Sequence, residues 1–232
     1  MSIASGIERV YEEIGAACAR AGRQPREVTL VAISKTVSAA AIREAHAAGI
    51  RHVGENRVQE ILTKTAELAD LDLTWHMVGS LQTNKVRALR PHLGLLHSLD
   101  RLALVEEIER VSAPAPLPAL VQVNTTSETT KSGVEPEQLD ALVDAIRRHP
   151  AIALRGLMTI GPTGGDESGI RRAFVRLREL RERMRRLHPD LPWTDLSMGM
   201  SGDFALAVEE GATLVRIGSL IFGSRPAPPP HA

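Results

Sequence analysis

The stretch VTLVAISKT, residues 28–36, carries the strongest fold signal in this chain. Its apolar and β-branched residues run without polar alternation, which is typical of a strand buried on both faces of a parallel sheet. The strand leads into Ser34, Lys35 and Thr36, where an open dinucleotide-binding sheet would carry a glycine-rich turn. The stretch therefore predicts a parallel α/β fold and disfavours that open sheet.

Outward from this stretch, short apolar runs alternate with longer helical patterns. Strands are predicted at residues 28–34, 52–54, 75–79, 95–99, 119–124, 154–160, 195–198 and 214–218. Helices are predicted at residues 39–48, 58–69, 83–89, 102–111, 136–147, 170–187 and 204–210, with a short last one at Leu220. Eight strand–helix units in strict alternation indicate a single (β/α)8 barrel of the TIM type, with a doubly wound open sheet as the alternative.

The first residues predict an additional N-terminal helix outside the barrel. Apolar residues recur at helical spacing at Ile3, Ile7, Val10 and Ile14. Acidic residues near the start distinguish this segment from a signal peptide. Because the 232 residues contain no obvious internal linker, we expect one domain over residues 1–225. The proline-rich end PAPPPHA, residues 226–232, predicts a short flexible tail.

The composition excludes several classes of protein and partner. Apolar residues make up 43% and charged residues 24%, and 28 basic residues balance 28 acidic ones, so neither a nucleic acid nor a membrane is expected as a partner. No apolar run approaches the roughly 18 residues of a membrane span. Cys18 is the only cysteine, which excludes an internal disulfide and favours a reducing cytoplasm.

The most basic segment, residues 170–187, also fits a solvated outer helix better than a nucleic-acid surface. Its apolar residues form one stripe, and its arginines alternate with glutamates at helical spacing. The stripe consists of Ala173, Leu177, Leu180, Met184 and Leu187.

In such barrels the loops after the carboxyl ends of the strands build the active site. Lys35 ends the first predicted strand and is one of only four lysines in the chain. A lysine leaving a buried strand is partly desolvated, which favours the neutral amine that forms a Schiff base with an aldehyde. The alternative is an ion-paired or solvent-seeking lysine at a strand end. We expect Lys64 to be a solvated helix residue.

A phosphate site is predicted where the last two strands end. Gly218 and Ser219 open a short helix whose free backbone N–H groups suit a phosphate, and Ser201 and Gly202 lie at another helix start. The alternative is that Ser201 and Ser219 are helix N-caps.

Arg216 lies inside the last predicted strand and points toward the barrel interior or mouth. A buried arginine needs a partner; it could donate to the nitrogen of a pyridine cofactor or form an ion pair with an acid such as Glu55. Scattered histidines give no metal-ligand spacing, and His76 fits a core histidine.

Taken together, these segments resemble the pyridoxal phosphate homeostasis proteins, relatives of the barrel domain of alanine racemase. The resemblance covers residues 28–223 and rests on AISKT, HVGENRVQE, WHMVGSLQTNK, HSLD, VNTTSETTKSG, RGLMTI, SMGMSGD and VRIGSLIFG in that order. Arg57 stands where an aromatic residue often follows GEN, and Ser219 where threonine is frequent.

The resemblance implies a cytoplasmic, usually monomeric protein that binds pyridoxal 5'-phosphate (PLP) and affects its distribution without an established reaction. It implies a covalent aldimine on Lys35, Arg216 at the pyridine nitrogen, and a phosphate cradle of Ser201, Gly218 and Ser219, with Asn56 and Met200 lining the pocket. PLP-dependent apo-enzymes are the implied partners. Whether Lys131 assists release stays open, as do two alternatives: a PLP-dependent amino-acid racemase and a phosphate-binding enzyme without PLP.

Overall fold

The computed structural model describes residues 2–111, 113–126, 128, 132–162, 164 and 166–223. The expected tail at 226–232 and Lys131 lie outside this part of the chain. Eight parallel strands form a closed barrel in sequential order, and β1 pairs with β8 to close it. The strands are β1 Thr29–Ile33, β2 His52–Glu55, β3 Thr74–Met77, β4 Leu95–Leu99, β5 Leu117–Gln122, β6 Ile152–Met158, β7 Asp195–Met200 and β8 Leu214–Ile217. The TIM-type barrel predicted from the sequence is confirmed.

Helices follow the strands and cover the outside of the barrel. They are α1 Ile3–Arg20, α2 Ala39–Ala47, α3 Val58–Glu67, α4 Val86–Leu89, α5 Leu102–Arg110, α6 Leu139–Arg147, α7 Glu167–Leu187, α8 Phe204–Glu209 and α9 Ser219–Phe222. The predicted helix at 83–89 is divided into a 3-10 turn, Thr83–Lys85, and α4. Among the described helices, none is long and apolar enough to cross a membrane.

Two apolar layers hold the fold together. The larger lies between the helices and the outer face of the sheet, and the smaller fills the barrel with side chains such as Val31, Ile33 and Leu120. Because side chains alternate along a strand, residues in phase with Val31 and Ile33 on β1 also point inward. Lys35 shares this phase, and Arg216 pairs in register with Val31.

The N-terminal helix and the basic helix pack largely as the sequence predicts. In the stripe of α1, Ile7, Val10 and Ile14 are buried and Ile3 is half-buried. The stripe of α7 is also buried except for Leu187, whose predicted core position is wrong. Leu187 is the last residue of α7, where the chain turns away, and it is 51% exposed.

Candidate functional site

A cavity of about 660 Å³ opens at the carboxyl ends of the strands. Its wall contains all seven residues that the sequence marks as candidates. They are Lys35, Asn56, Met200, Ser201, Arg216, Gly218 and Ser219. The closed barrel thus gathers into one wall residues from β7, from β8 and from the loops after β1, β2, β7 and β8.

Lys35 lies two residues beyond β1, and its side chain is half-buried in the cavity wall. Its amine makes no hydrogen bond or ion pair with any residue in the described part of the chain. The next residue, Thr36, has a φ of 64°, a left-handed conformation that is rare for a β-branched residue. The amine is therefore available to a ligand, on a turn with an unusual backbone.

The expectation that Lys64 is a solvated lysine is wrong. Its residue is 7% exposed, and its amine donates to the Ser34 carbonyl oxygen at 2.7 Å, to Glu55 Oε1 at 2.7 Å and to Glu60 Oε2 at 2.8 Å. The Ser34 hydroxyl also donates to Glu55 Oε1, at 2.5 Å. Burial raises the pKa of Glu55 despite these hydrogen bonds. Lys64 therefore belongs to a buried charged cluster between the barrel and α3.

Arg216 is 5% exposed and has only neutral hydrogen-bond partners among the described residues. One Nη donates to Ser197 Oγ at 2.6 Å and the other to the Thr159 carbonyl oxygen at 2.9 Å. Burial lowers the pKa of Arg216 to about 10, so the guanidinium stays charged at neutral pH. The ion pair with Glu55 that the sequence left open is not formed, because Glu55 binds Lys64. Arg216 thus retains N–H groups for an acceptor in the cavity.

Three histidines extend this hydrogen-bonded line across the barrel interior. His97 Nδ1 lies 2.8 Å from Ser197 Oγ, His97 Nε2 lies 2.8 Å from His76 Nδ1, and His76 Nε2 lies 3.0 Å from His52 Nδ1. Burial lowers the pKa of His76 to about 3 and that of His97 well below its ordinary value, so both are neutral near pH 7. His76 is the core histidine that the sequence predicts.

Arg216 sets the direction of this line. Because a guanidinium only donates, Ser197 Oγ accepts from Arg216, and the orientation that also gives the serine proton a partner has the hydroxyl donating to His97 Nδ1. Each ring then donates from Nε2 to the next Nδ1, and every shared atom is satisfied. These hydrogen bonds hold the guanidinium on the side that faces the barrel interior. Its remaining N–H groups are left for the cavity.

The loops after β7 and β8 meet at one corner of the cavity. The Gly218 N–H donates to Ser201 Oγ at 3.3 Å, and the turn that carries Ser201 is closed by Asp203 Oδ1, which accepts from the Met200 N–H at 2.5 Å. Burial raises the pKa of Asp203. Hydrogen bonds therefore fix this corner of the cavity in a defined turn.

The helix-capping explanation for the two serines is not supported. Gly218 is the N-cap of α9, so Ser219 is its first residue, and Asp203 rather than Ser201 is the N-cap of α8. The backbone N–H groups of Ser219 and Leu220 donate to no described residue. The corner therefore offers unpaired backbone donors beside two hydroxyl groups.

Comparison with known proteins identifies the family. The sequence model described as "Alanine racemase, N-terminal domain" matches residues 12–226. The pyridoxal phosphate homeostasis protein of Pseudomonas aeruginosa is 46% identical over 226 residues, which cover 97% of this chain and 96% of that protein. The protein of the same name from Aquifex aeolicus is 45% identical, with 97% and 99% covered. This chain belongs to the pyridoxal phosphate homeostasis protein family.

Solved structures agree with that assignment. PipY from Synechococcus elongatus, solved with PLP bound, has a TM-score of 0.85 and 38% identity, and the match covers 96% of this chain and 100% of PipY. Alanine racemase from Bacillus anthracis has a TM-score of 0.68 at 16% identity, and the match covers 57% of that chain. The racemase shares the barrel alone, and it contains much sequence with no counterpart here.

The N-terminal helix contributes to the site of this family member. Ile3 of α1 and Phe222 of α9 both line the cavity. Gly6 lies so close to α9 that a Cβ there would be 2.5 Å from the Leu220 carbonyl oxygen. Helix α1 therefore supports the short helix that carries Ser219.

The helical spacing around Lys64 indicates that this lysine is buried. Ile61, Lys64 and Leu68 are three and four positions apart and lie on one buried stripe of the helical segment. The phase of the helix, rather than the charge of the residue, decides its burial. The contact between Gly6 and α9 has no such signal, because it joins opposite ends of the chain.

Proposed function

We propose that this protein binds PLP covalently through Lys35 and serves as an intracellular carrier or buffer of PLP. The observation that carries the proposal is one cavity that presents three separate groups to a ligand. These are the unpaired amine of Lys35, the spare N–H groups of buried Arg216, and the donors around Ser201 and Ser219. PLP has three matching features: an aldehyde, a pyridine nitrogen and a phosphate.

Each residue has a distinct role in this proposal. The amine of Lys35 would form a C=N bond with the aldehyde carbon, and the aldehyde oxygen would leave as water. Arg216 donates to the ring nitrogen and keeps it unprotonated. Ser201, Gly218 and Ser219 hold the phosphate through hydroxyl and backbone donors. Asn56 and Met200 line the pocket. When bound, PLP supplies an electrophilic carbon and an electron-withdrawing ring.

We propose that the role is binding and delivery rather than catalysis. A two-base racemase needs a proton-transfer group on each face of the substrate carbon. Among the described residues that line the cavity, Lys35 and Arg216 are the only titratable ones. Tyr11 lies on α1 and is 45% exposed, and Cys18 is buried in the same helix, outside the cavity wall. The second base of a racemase therefore has no candidate in this wall.

The names of the relatives and the PLP in PipY support this role. We propose a cytoplasmic monomer whose partners are PLP and PLP-dependent apo-enzymes, with no nucleic acid or membrane partner. The balanced charge of the chain is consistent with these choices.

Borohydride reduction followed by peptide mapping tests the site. We expect the pyridoxyl group on Lys35, loss of the visible absorption band in Lys35→Ala, and an unchanged band in Lys85→Ala, which removes an exposed lysine. Label on Lys64, Lys85 or Lys131 instead would contradict the assignment. A protein that takes up no PLP at all would favour a phosphate-binding enzyme.

Two further assays test the role. The loaded protein should transfer PLP to an apo-enzyme, and chiral chromatography after incubation with each L-amino acid should show no efficient racemisation. Turnover of about 1 per second or more, abolished by Lys35→Ala, would replace the carrier with an enzyme.

A further inference from the structure

The turn that carries Lys35 has a conformation that needs support from elsewhere. Thr36, the residue after Lys35, has a φ of 64°, which for a β-branched side chain is disfavoured by contacts with its own backbone. Such conformations persist only where the surrounding structure holds them. Because β1 and α2 anchor the chain on both sides, relaxation of Thr36 to a negative φ requires compensating rotations in its neighbours, which include Lys35.

One glutamate–lysine pair on α3 holds both neighbours of Lys35. Glu60 Oε2 accepts from the Thr36 N–H at 2.8 Å and from Lys64 Nζ at 2.8 Å. Lys64 Nζ donates in turn to the Ser34 carbonyl oxygen at 2.7 Å. The backbone is therefore fixed on each side of Lys35 by charge-assisted hydrogen bonds to a single helix.

This pair lies outside the main cavity. Glu60 and Lys64 line a separate groove of about 300 Å³ between α2 and α3, whereas neither contributes to the cavity wall that contains Lys35. Burial alone would raise the pKa of Glu60, but the hydrogen bonds from Lys64 and Thr36 outweigh it and lower that pKa. Glu60 is thus charged at neutral pH, and its charge is used to hold the turn.

We propose that Glu60 and Lys64 are positioning residues that keep Lys35 directed into the cavity by holding Thr36 in its left-handed conformation. The inference rests on the proposed role of Lys35. If the turn adopts the competent conformation only one-tenth of the time without Glu60, the apparent Kd for PLP rises about tenfold. The rate of Schiff-base formation falls by a similar factor.

The experiment combines removal of the support with removal of the strain. Glu60→Ala deletes the acceptor, Glu60→Gln keeps an uncharged acceptor, and Thr36→Gly makes the left-handed conformation free of steric cost. Glu67→Ala is the matched control, since Glu67 is an exposed glutamate on α3 that lines the same groove. Glu60 is only partly buried, so these variants should fold.

For each variant we would measure the Kd and the association rate for PLP, thermal unfolding, and amide exchange at Thr36. We expect about a tenfold loss of affinity in Glu60→Ala, a smaller loss in Glu60→Gln and none in Glu67→Ala. Thr36→Gly should restore most of the affinity in the Glu60→Ala background. Faster exchange at Thr36 should accompany the loss.

Two outcomes would overturn the inference while wild-type protein still carries a borohydride-trapped pyridoxyl group on Lys35. In the first, Glu60→Ala binds PLP as the wild type does. In the second, Thr36→Gly does not restore affinity in the Glu60→Ala background, and the changes in Kd of the two single variants simply multiply in the double variant. Absence of the pyridoxyl group from Lys35 of the wild type would instead remove the proposed function and the inference with it.

Discussion

Substitution of Gly6 by alanine should weaken the binding of PLP from outside the cavity. A Cβ at Gly6 would lie 2.5 Å from the Leu220 carbonyl oxygen and 3.3 Å from Ile221 Cα, both backbone atoms of α9. Ordinary contact begins at 3.4 Å, so α1 and α9 must separate by about 0.9 Å. Alanine favours a helix over glycine, so α1 itself should be strengthened.

The effect on phosphate follows from that displacement. If α9 yields, the N–H groups of Ser219 and Leu220 move by about 0.9 Å, which takes a hydrogen bond of about 2.9 Å beyond its useful range. A hydrogen bond to a charged group contributes about 1.5–3 kcal/mol, so loss of one bond weakens binding by about 10- to 100-fold. Pyridoxal, which lacks the phosphate, does not use these donors.

The assay compares two ligands in two variants. Spectroscopic titration with PLP and with pyridoxal should show a selective loss for PLP in Gly6→Ala. Gly15→Ala is the matched control, because a Cβ at Gly15 of the same helix meets no atom within 4 Å. An equal loss for both ligands, or no loss for either, would refute the reasoning about α9.

Three other substitutions have defined outcomes in the same assays. Ser219→Ala should weaken PLP binding by one neutral hydrogen bond, about 0.5–1.5 kcal/mol, whereas Gly218→Val should weaken it far more, because even a Cβ there lies 3.2 Å from the Ile33 carbonyl oxygen; equal losses would contradict a backbone cradle. Arg216→Glu should shift the absorption spectrum and raise the Kd for PLP, since a carboxylate favours a protonated ring nitrogen. An unchanged pH titration of bound PLP would show that Arg216 does not contact the ring nitrogen. The pKa of His76 is about 3 in the folded protein and 6.5 ordinarily, so its contribution to stability is complete above pH 6.5 and is lost as the pH falls toward 3. Between pH 7 and pH 4.5, the free energy of unfolding in urea should therefore fall by about 2–3 kcal/mol less in His76→Gln than in the wild type. An identical pH dependence in the two proteins would contradict a neutral His76.

Most of the fold was predictable because strand order follows directly from alternation in the sequence. β4 has the predicted bounds, and each of the other strands differs from its predicted bounds by one or two residues at one or both ends. All seven candidate residues meet in one cavity because parallel closure brings every strand's carboxyl end to the same mouth. Position along a strand was therefore enough to place Lys35 and Arg216.

The supports behind these residues were harder to predict, because they depend on contacts between distant segments. The conformation of Thr36 is not a local preference of threonine, and it exists because Glu60 reaches across from α3. The neutral partners of Arg216 come from β7 and from the residue directly after β6, and no local pattern specifies them. Sequence periodicity fixes which way a side chain points, but not which atom it meets.

The pairing of β1 with β8 has a consequence for biosynthesis. Lys35 follows the first strand and Gly218 follows the last, so the two sides of the cavity come from opposite ends of the chain. A nascent chain still lacking residues 214–222 has the lysine but neither Arg216 nor the donors of α9. Because the pairing of β1 with β8 joins residues near the two ends of the chain, it closes one of the longest loops in the fold. Only chains whose synthesis and folding are complete would then take up the ligand. Unfinished chains would not bind PLP from the cellular pool.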